Sequence, residues 1–237
     1  MIMSGENIED QDVAPHDSAY IDLVRERLSI VRSRIVRAGG DPSAVRIVAV
    51  TKTFGLKACV AALSVGIADL GENYAEELTR KAVALQERPG LAPARWHFLG
   101  AIQRRKLARL AGHVALYEGV DRLEEGGAIA RHQPGAAVLI EVDTTGRASR
   151  SGVSPQEVEG LLDGLLGLGL DVRGLMTIAA PEDPEAARRT FSCVGDLSRS
   201  LGLVECSMGM SEDLEYAVGA GATIVRVGRA LFGPRPA

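Results

Sequence analysis

Lysine is scarce in this 237-residue chain: it stands only at 52, 57, 81 and 106, against 23 arginines. Aromatic residues make up 4%, with a single tryptophan, Trp96. The three cysteines, Cys59, Cys193 and Cys206, are odd in number and scattered. That argues against a disulfide framework or a zinc site and fits a reducing cytoplasm. The four histidines (16, 97, 113 and 132) lack metal-ligand spacing. Neither sign of charge dominates; the net charge of −4 points to no nucleic acid and no anionic membrane. No apolar run is long enough to span a bilayer, and the start lacks a basic-then-apolar signal.

What is present suits a globular protein. Hydrophobic residues make up 46%, enough for a core, and no Pro/Ser-rich linker divides the chain. Residues 1 to 16 are polar and acidic and read as a disordered leader, with one domain over 17–237. Asp17 or Ser18 can cap a helix that runs to about Ala38, where Gly39-Gly40 stop it. From there strand signals alternate with helical ones. Strands are expected near 46–51, 67–70, 95–99, 114–118, 137–142, 171–176, 203–207 and 223–227. Helices are expected near 56–65, 73–87, 103–111, 121–132, 155–168, 184–201 and 211–220. Eight such repeats predict a (β/α)8 TIM barrel, with an open doubly wound sheet as the alternative. The last unit is short, and the helix ahead of the first strand is expected to cover the gap.

The stretch Ile47–Val50 is a short apolar run that suits a strand buried on both faces, and it runs into Thr51-Lys52-Thr53. Ligands of parallel α/β folds bind at the carboxyl ends of strands. A chain that nearly always uses arginine but places lysine there has a use for an amine that can lose its proton. The bland alternative is a strand-end lysine reaching solvent. Asn73, after the second strand, is either a helix cap or an amide at the barrel mouth. His97 and Phe98 point to opposite faces, so one looks inward; a core histidine is the plainer reading of His97. Arg147 and Arg150 read as solvated surface.

The last two strand ends carry most of the chemistry. Ser207-Met208-Gly209-Met210-Ser211 offers two hydroxyls and a glycine, and Arg226-Val227-Gly228 a fixed charge and a second glycine. Barrels commonly bind phosphate between these two loops. Glu212 and Asp213 must then face away from the anion. An amine across the mouth from a phosphate cup suits pyridoxal 5′-phosphate (PLP), or a sugar phosphate held as in a Schiff-base aldolase.

Six motifs stand in the order seen in the PLP homeostasis protein family, also called YggS or PROSC. They are Val48-Ala49-Val50-Thr51-Lys52, Gly71-Glu72-Asn73-Tyr74, Trp96-His97-Phe98-Leu99-Gly100, Gly174-Leu175-Met176-Thr177, the Ser207–Ser211 run and Val225-Arg226-Val227-Gly228. The chain resembles that family from about residue 20 to 233. The resemblance implies a single barrel like the amino-terminal domain of alanine racemase, holding PLP as a Schiff base on Lys52. Ser211 and Gly228 match its phosphate loop, with Arg226 beside them, and Asn73 and Ser207 match further pocket positions. It also implies a role in vitamin B6 and amino-acid homeostasis without established catalysis, with PLP-dependent apoenzymes or amino acids as further partners. Two departures stand out. Ala101-Ile102-Gln103-Arg104-Arg105-Lys106 replaces a His-Leu-Gln-Ser-Asn-Lys type run, and Arg229 stands where a hydroxyl is usual.

A racemase needs a second acid/base group facing the lysine, and no tyrosine stands at a strand end in an obvious facing position. The expectation is therefore a monomeric, cytoplasmic PLP carrier or regulator, with a weak racemase-like enzyme as the alternative.

Overall fold

The computed structural model describes residues 18–147, 150–180 and 183–235. The leader expected over 1–16, and Asp17 as a cap, lie outside the described residues. The chain opens on α1 (Ser18–Arg37), whose buried positions Val24, Leu28, Val31 and Ile35 keep the three-and-four spacing. Then come β1 (Arg46–Val50), α2 (Leu56–Ser64), β2 (Asp69–Glu72), α3 (Ala75–Gln86), β3 (Arg95–Phe98) and the one-turn α4 (Leu107–Leu110). They are followed by β4 (Val114–Val120), α5 (Leu123–His132), β5 (Ala137–Glu141), α6 (Val158–Gly167), β6 (Asp171–Met176) and α7 (Pro184–Ser200). The last part holds β7 (Glu205–Ser207), α8 (Leu214–Gly219), β8 (Ile224–Val227) and α9 (Arg229–Phe232).

All eight strands are parallel and pair in chain order, and β8 closes on β1 from Arg46↔Ile224 to Ala49↔Val227. That closure rules out the open sheet. The reason lies in the strands: apolar side chains on both faces need cover on both. One set (Val48, Leu116, Ala137, Leu139, Met176, Ile224) packs inside the barrel. A larger set, including Ala49, Leu70, Trp96, Phe98 and Val225, packs under the helices.

The helix ahead of the barrel does what the short last unit cannot. It packs against α2, α8 and α9. Arg34 grips Glu215 with two contacts of 2.6 Å and donates to the Ser211 carbonyl at 2.7 Å, so α1 also anchors one of the expected site loops.

Two helices differ from expectation. The 103–111 stretch is a 3-10 turn (Arg104–Lys106) followed by α4. The helix expected from 211 begins only at Leu214. Met208 N donates to Ile224 O at 3.1 Å and Gly209 O accepts from Arg226 N at 3.0 Å, so this backbone extends the β7–β8 ladder. Gly209 then turns at φ +89, a conformation that disfavours any side chain.

Candidate functional site

The end of β1 makes a tight turn in which Phe54 N donates to Thr51 O at 3.0 Å. Lys52 lies in this turn and is half-buried. On the far side of the mouth, Ser211 Oγ accepts from Ala230 N at 3.2 Å, which locks the β7 loop to the first turn of α9. Gly228 sits between them, against the Val50 carbonyl; a Cβ there would approach it to 3.2 Å. Arg226 is buried on β8 and donates to the carbonyls of Ser207 and Thr177, both at 2.8 Å.

These elements enclose one cavity of about 190 Å³ at the carboxyl ends of the strands. Lys52, Asn73, Ser211, Arg226 and Gly228 all line it, with Val50, Phe54, Leu99 and Met176 as apolar walls. The amine and the serine-glycine loops, far apart in sequence, therefore share one chamber. Asn73 is not a helix cap: α3 is capped at Tyr74, and Asn73 Oδ1 is buried with no partner of its own. A polar atom so placed seeks a donor from whatever fills the cavity. Gly100 permits this geometry, because a Cβ there would run into the Asn73 backbone.

Ser207, the sixth expected position, does not line the cavity. It lies beneath it, fully buried, where its hydroxyl accepts from Arg226 Nη1 at 2.7 Å and donates to Glu118 Oε2 at 2.5 Å. Glu212 and Asp213, expected to face away from an anion, both line the cavity. Glu212 is paired with Arg229 at 2.7 Å on the exposed rim, and Asp213 Oδ1 accepts from Met210 N at 2.5 Å. Arg150 is not merely solvated: it donates at 2.6 Å to the carbonyl of Ile178, which lines the cavity.

Electrostatics favour a reactive amine. Burial pulls the Lys52 pKa below the ordinary lysine value, and the positive charges of Arg235 and Arg226 add to this, while Glu72 and Glu77 oppose it. Two buried charge networks that motif reading missed support the site. Inside the barrel, His97 Nδ1 meets Glu118 Oε1 at 2.5 Å and Nε2 meets Asp69 Oδ1 at 3.0 Å. Burial works against charge on His97, but the two carboxylates outweigh it and raise its pKa to about 9. Glu118 in turn lies 3.8 Å from Arg226. Under Lys52, the fully buried Lys81 ammonium donates to Glu72 Oε1 and Glu77 Oε1, both at 2.7 Å, and to Thr51 O at 2.8 Å. Burial pushes the Glu72 carboxyl up to about 7 even so, while the carboxylates hold Lys81 above the ordinary lysine value despite its own burial. One signal pointed to Lys81: it is another of the four lysines. Glu118 interrupts an apolar strand, which was the signal for the His97 network.

The chain matches the family model described as alanine racemase, N-terminal domain, over residues 22–236. It is 38% identical over 227 residues to the pyridoxal phosphate homeostasis protein of Pseudomonas aeruginosa, covering 91% of this chain and 97% of that one. An unknown protein from Bifidobacterium adolescentis superposes with a TM-score of 0.83 at 30% identity, covering 94% of this chain and all of its own. PipY of Synechococcus elongatus, with PLP bound, superposes with a TM-score of 0.76 at 28% identity, covering 89% of this chain and all of PipY.

Proposed function

The chain belongs to the pyridoxal phosphate homeostasis protein family, built on the alanine racemase N-terminal domain, and from that premise we propose that it binds PLP as a Schiff base on Lys52 and serves as a PLP carrier or regulator. Bound there, PLP supplies an aldehyde that condenses with a primary amine, releasing water, and a phosphate dianion that needs an anion cup. The chain's residues fit both ends. Lys52 offers an amine whose burial and cationic neighbours favour the neutral, nucleophilic form. Ser211 and the close-packed Gly228 turn form the cup, with Arg226 charge nearby. Val50, Phe54, Leu99 and Met176 give a flat ring apolar walls that exclude water. Asn73 Oδ1, buried and without a partner, accepts from a ligand donor. Ser207 acts from beneath by holding Arg226 in place.

The observation that carries this reading is the sharing of one cavity by Lys52 and the Ser211–Gly228 loops. The racemase alternative needs a second proton-transfer group facing Lys52. Among the described residues, the other titratable groups lining the cavity are Glu212, Asp213, Arg226, Arg229 and Arg235, all from the same end of the chain as the phosphate loops. The test is a visible spectrum of the purified protein with PLP, beside Lys52→Ala, followed by borohydride reduction and mass mapping. The cofactor mass is expected on the Lys52 peptide, and the band is expected to vanish in the variant. A band that survives in Lys52→Ala overturns the assignment, and rapid exchange of a labelled amino-acid α-proton overturns the carrier role.

A further inference from the structure

Lys52 sits in a turn that its own backbone does not favour. The next residue, Thr53, has φ +66 and is the one non-glycine in the left-handed region among the described residues. For a β-branched residue that state is disfavoured by roughly 5- to 150-fold. Something outside the turn must hold it.

The holder is α3. Glu77 Oε1 accepts from Thr53 N at 2.9 Å and, with the same oxygen, from Lys81 Nζ at 2.7 Å. Lys81 Nζ also donates to Thr51 O at 2.8 Å, so all three of its protons are used. Both peptide flanks of Lys52 are thus tied to one buried ammonium: Thr51 through its carbonyl, Thr53 through its amide and Glu77. A glutamate in the first turn of a helix ordinarily needs no explanation beyond the macrodipole. Here the carboxylate reaches out of its helix to a loop 24 residues earlier. A buried ion pair is also no more stabilising than apolar side chains of the same size, so this one calls for a reason of position. Asn73, another cavity residue, lies just ahead of the same helix.

We propose that Lys81 and Glu77 are positioning residues that hold the 51–54 turn in its left-handed form and so aim the Lys52 amine at the aldehyde of a phosphate-anchored ligand. The proposal rests on the reading of Lys52 as the bonding amine. There the nitrogen adds to the carbonyl carbon, a C=N bond forms and water leaves. Anchoring the phosphate fixes where the aldehyde lies, so the aim of the amine matters. An aldehyde without phosphate samples many orientations and is indifferent to it.

The apo protein tests this. In wild type the Thr53 amide is expected to be protected from hydrogen exchange; exchange at the rate of a free amide would overturn the proposal without any variant. In Glu77→Ala, exchange at Thr53 is expected to quicken and the rate of bond formation with PLP to fall by about tenfold, within the span of the left-handed penalty. The rate with pyridoxal, which lacks the phosphate, is expected to stay within about twofold. Glu77→Gln keeps an acceptor for Thr53 N and is expected to retain most of the PLP rate. Adding Thr53→Gly to Glu77→Ala is expected to restore it, because glycine takes φ > 0 at no cost. Glu77→Ala at the wild-type rate, or PLP and pyridoxal slowed equally, would overturn the clamp. Lys52→Ala separates the two ideas: if it still bonds PLP, the reading of Lys52 fails, while protection at Thr53 still reports on the clamp.

Discussion

The His97 imidazole ties stability to pH in a window that can be isolated. It is 2% exposed, and both ring nitrogens meet carboxylate oxygens, so only the imidazolium satisfies Glu118 and Asp69 together. Its pKa is raised from 6.5 to about 9. A folded-state pKa above the unfolded one contributes stability that is full below 6.5 and is lost as pH rises through 9. The whole contribution is about 3 kcal/mol, since each tenfold gain in proton affinity is worth about 1.4 kcal/mol. Glu72 is likewise raised, from 4.5 to about 7, so its contribution is lost at lower pH, between those values. From pH 7 to 9.5 roughly 2–3 kcal/mol of His97 stabilisation is expected to vanish, and comparison with a His97 variant separates it from the loss caused by the buried thiols Cys59 and Cys206, which both proteins share. For a chain of this size that is a fall in Tm of roughly 5–10 °C. His97→Gln is neutral at every pH and removes the cation shared by Glu118 and Asp69, which keep only Arg226 and Arg95. It is expected to be less stable than wild type at pH 7 and to lose stability less steeply than wild type above that. Thermal melts of both proteins at half-unit steps provide the measurement. Parallel profiles from pH 7 to 9.5 would refute the assignment of a buried imidazolium.

Three further outcomes are expected. Lys81→Met strands Glu72 and Glu77 beneath the β1 turn, and breaking a buried pair in this way costs about 3–5 kcal/mol in denaturant unfolding; adding Glu72→Gln should recover a large part of it. Gly228→Ala places a Cβ 3.2 Å from the Val50 carbonyl at the foot of the proposed phosphate cup. It is expected to weaken retention of PLP by roughly 1–2 kcal/mol, read by equilibrium titration, with little effect on pyridoxal. Of the three thiols, Cys59 and Cys206 are buried, and burial pushes them up to about 12 and 11, whereas Cys193 is exposed. A thiol reagent should therefore modify one cysteine in the native protein and three after unfolding.

How far the site was legible follows from how local each signal is. Lys52 stood out because a rare residue type closed an apolar strand. The Ser207–Ser211 and Arg226–Gly228 runs stood out because strand-end glycines and hydroxyls mark loops that contact anions. Ser207 stood out as a candidate but not as a residue lying beneath the cavity against Arg226, because that depth depends on register across β7 and β8. Glu118 and Asp69 were invisible as partners of His97, since the three residues come from three different strands. The late start of α8 was equally hidden, because residues 211–213 form a separate turn in which Asp213 N donates to Met210 O and Asp213 Oδ1 accepts from Met210 N.

The alternation of apolar runs and helical spacing, by itself, determined eight βα units, a lead helix and the order of the motif residues, because periodicity and turn chemistry are short-range properties. Only tertiary structure decided that Lys52 and Ser211 face one chamber, that Asn73 keeps an oxygen free, and that α3 ties down both flanks of the β1 turn. Those facts depend on barrel closure, which brings β8 against β1. Closure joins segments nearly 180 residues apart, and no pattern within either segment records where the other will lie.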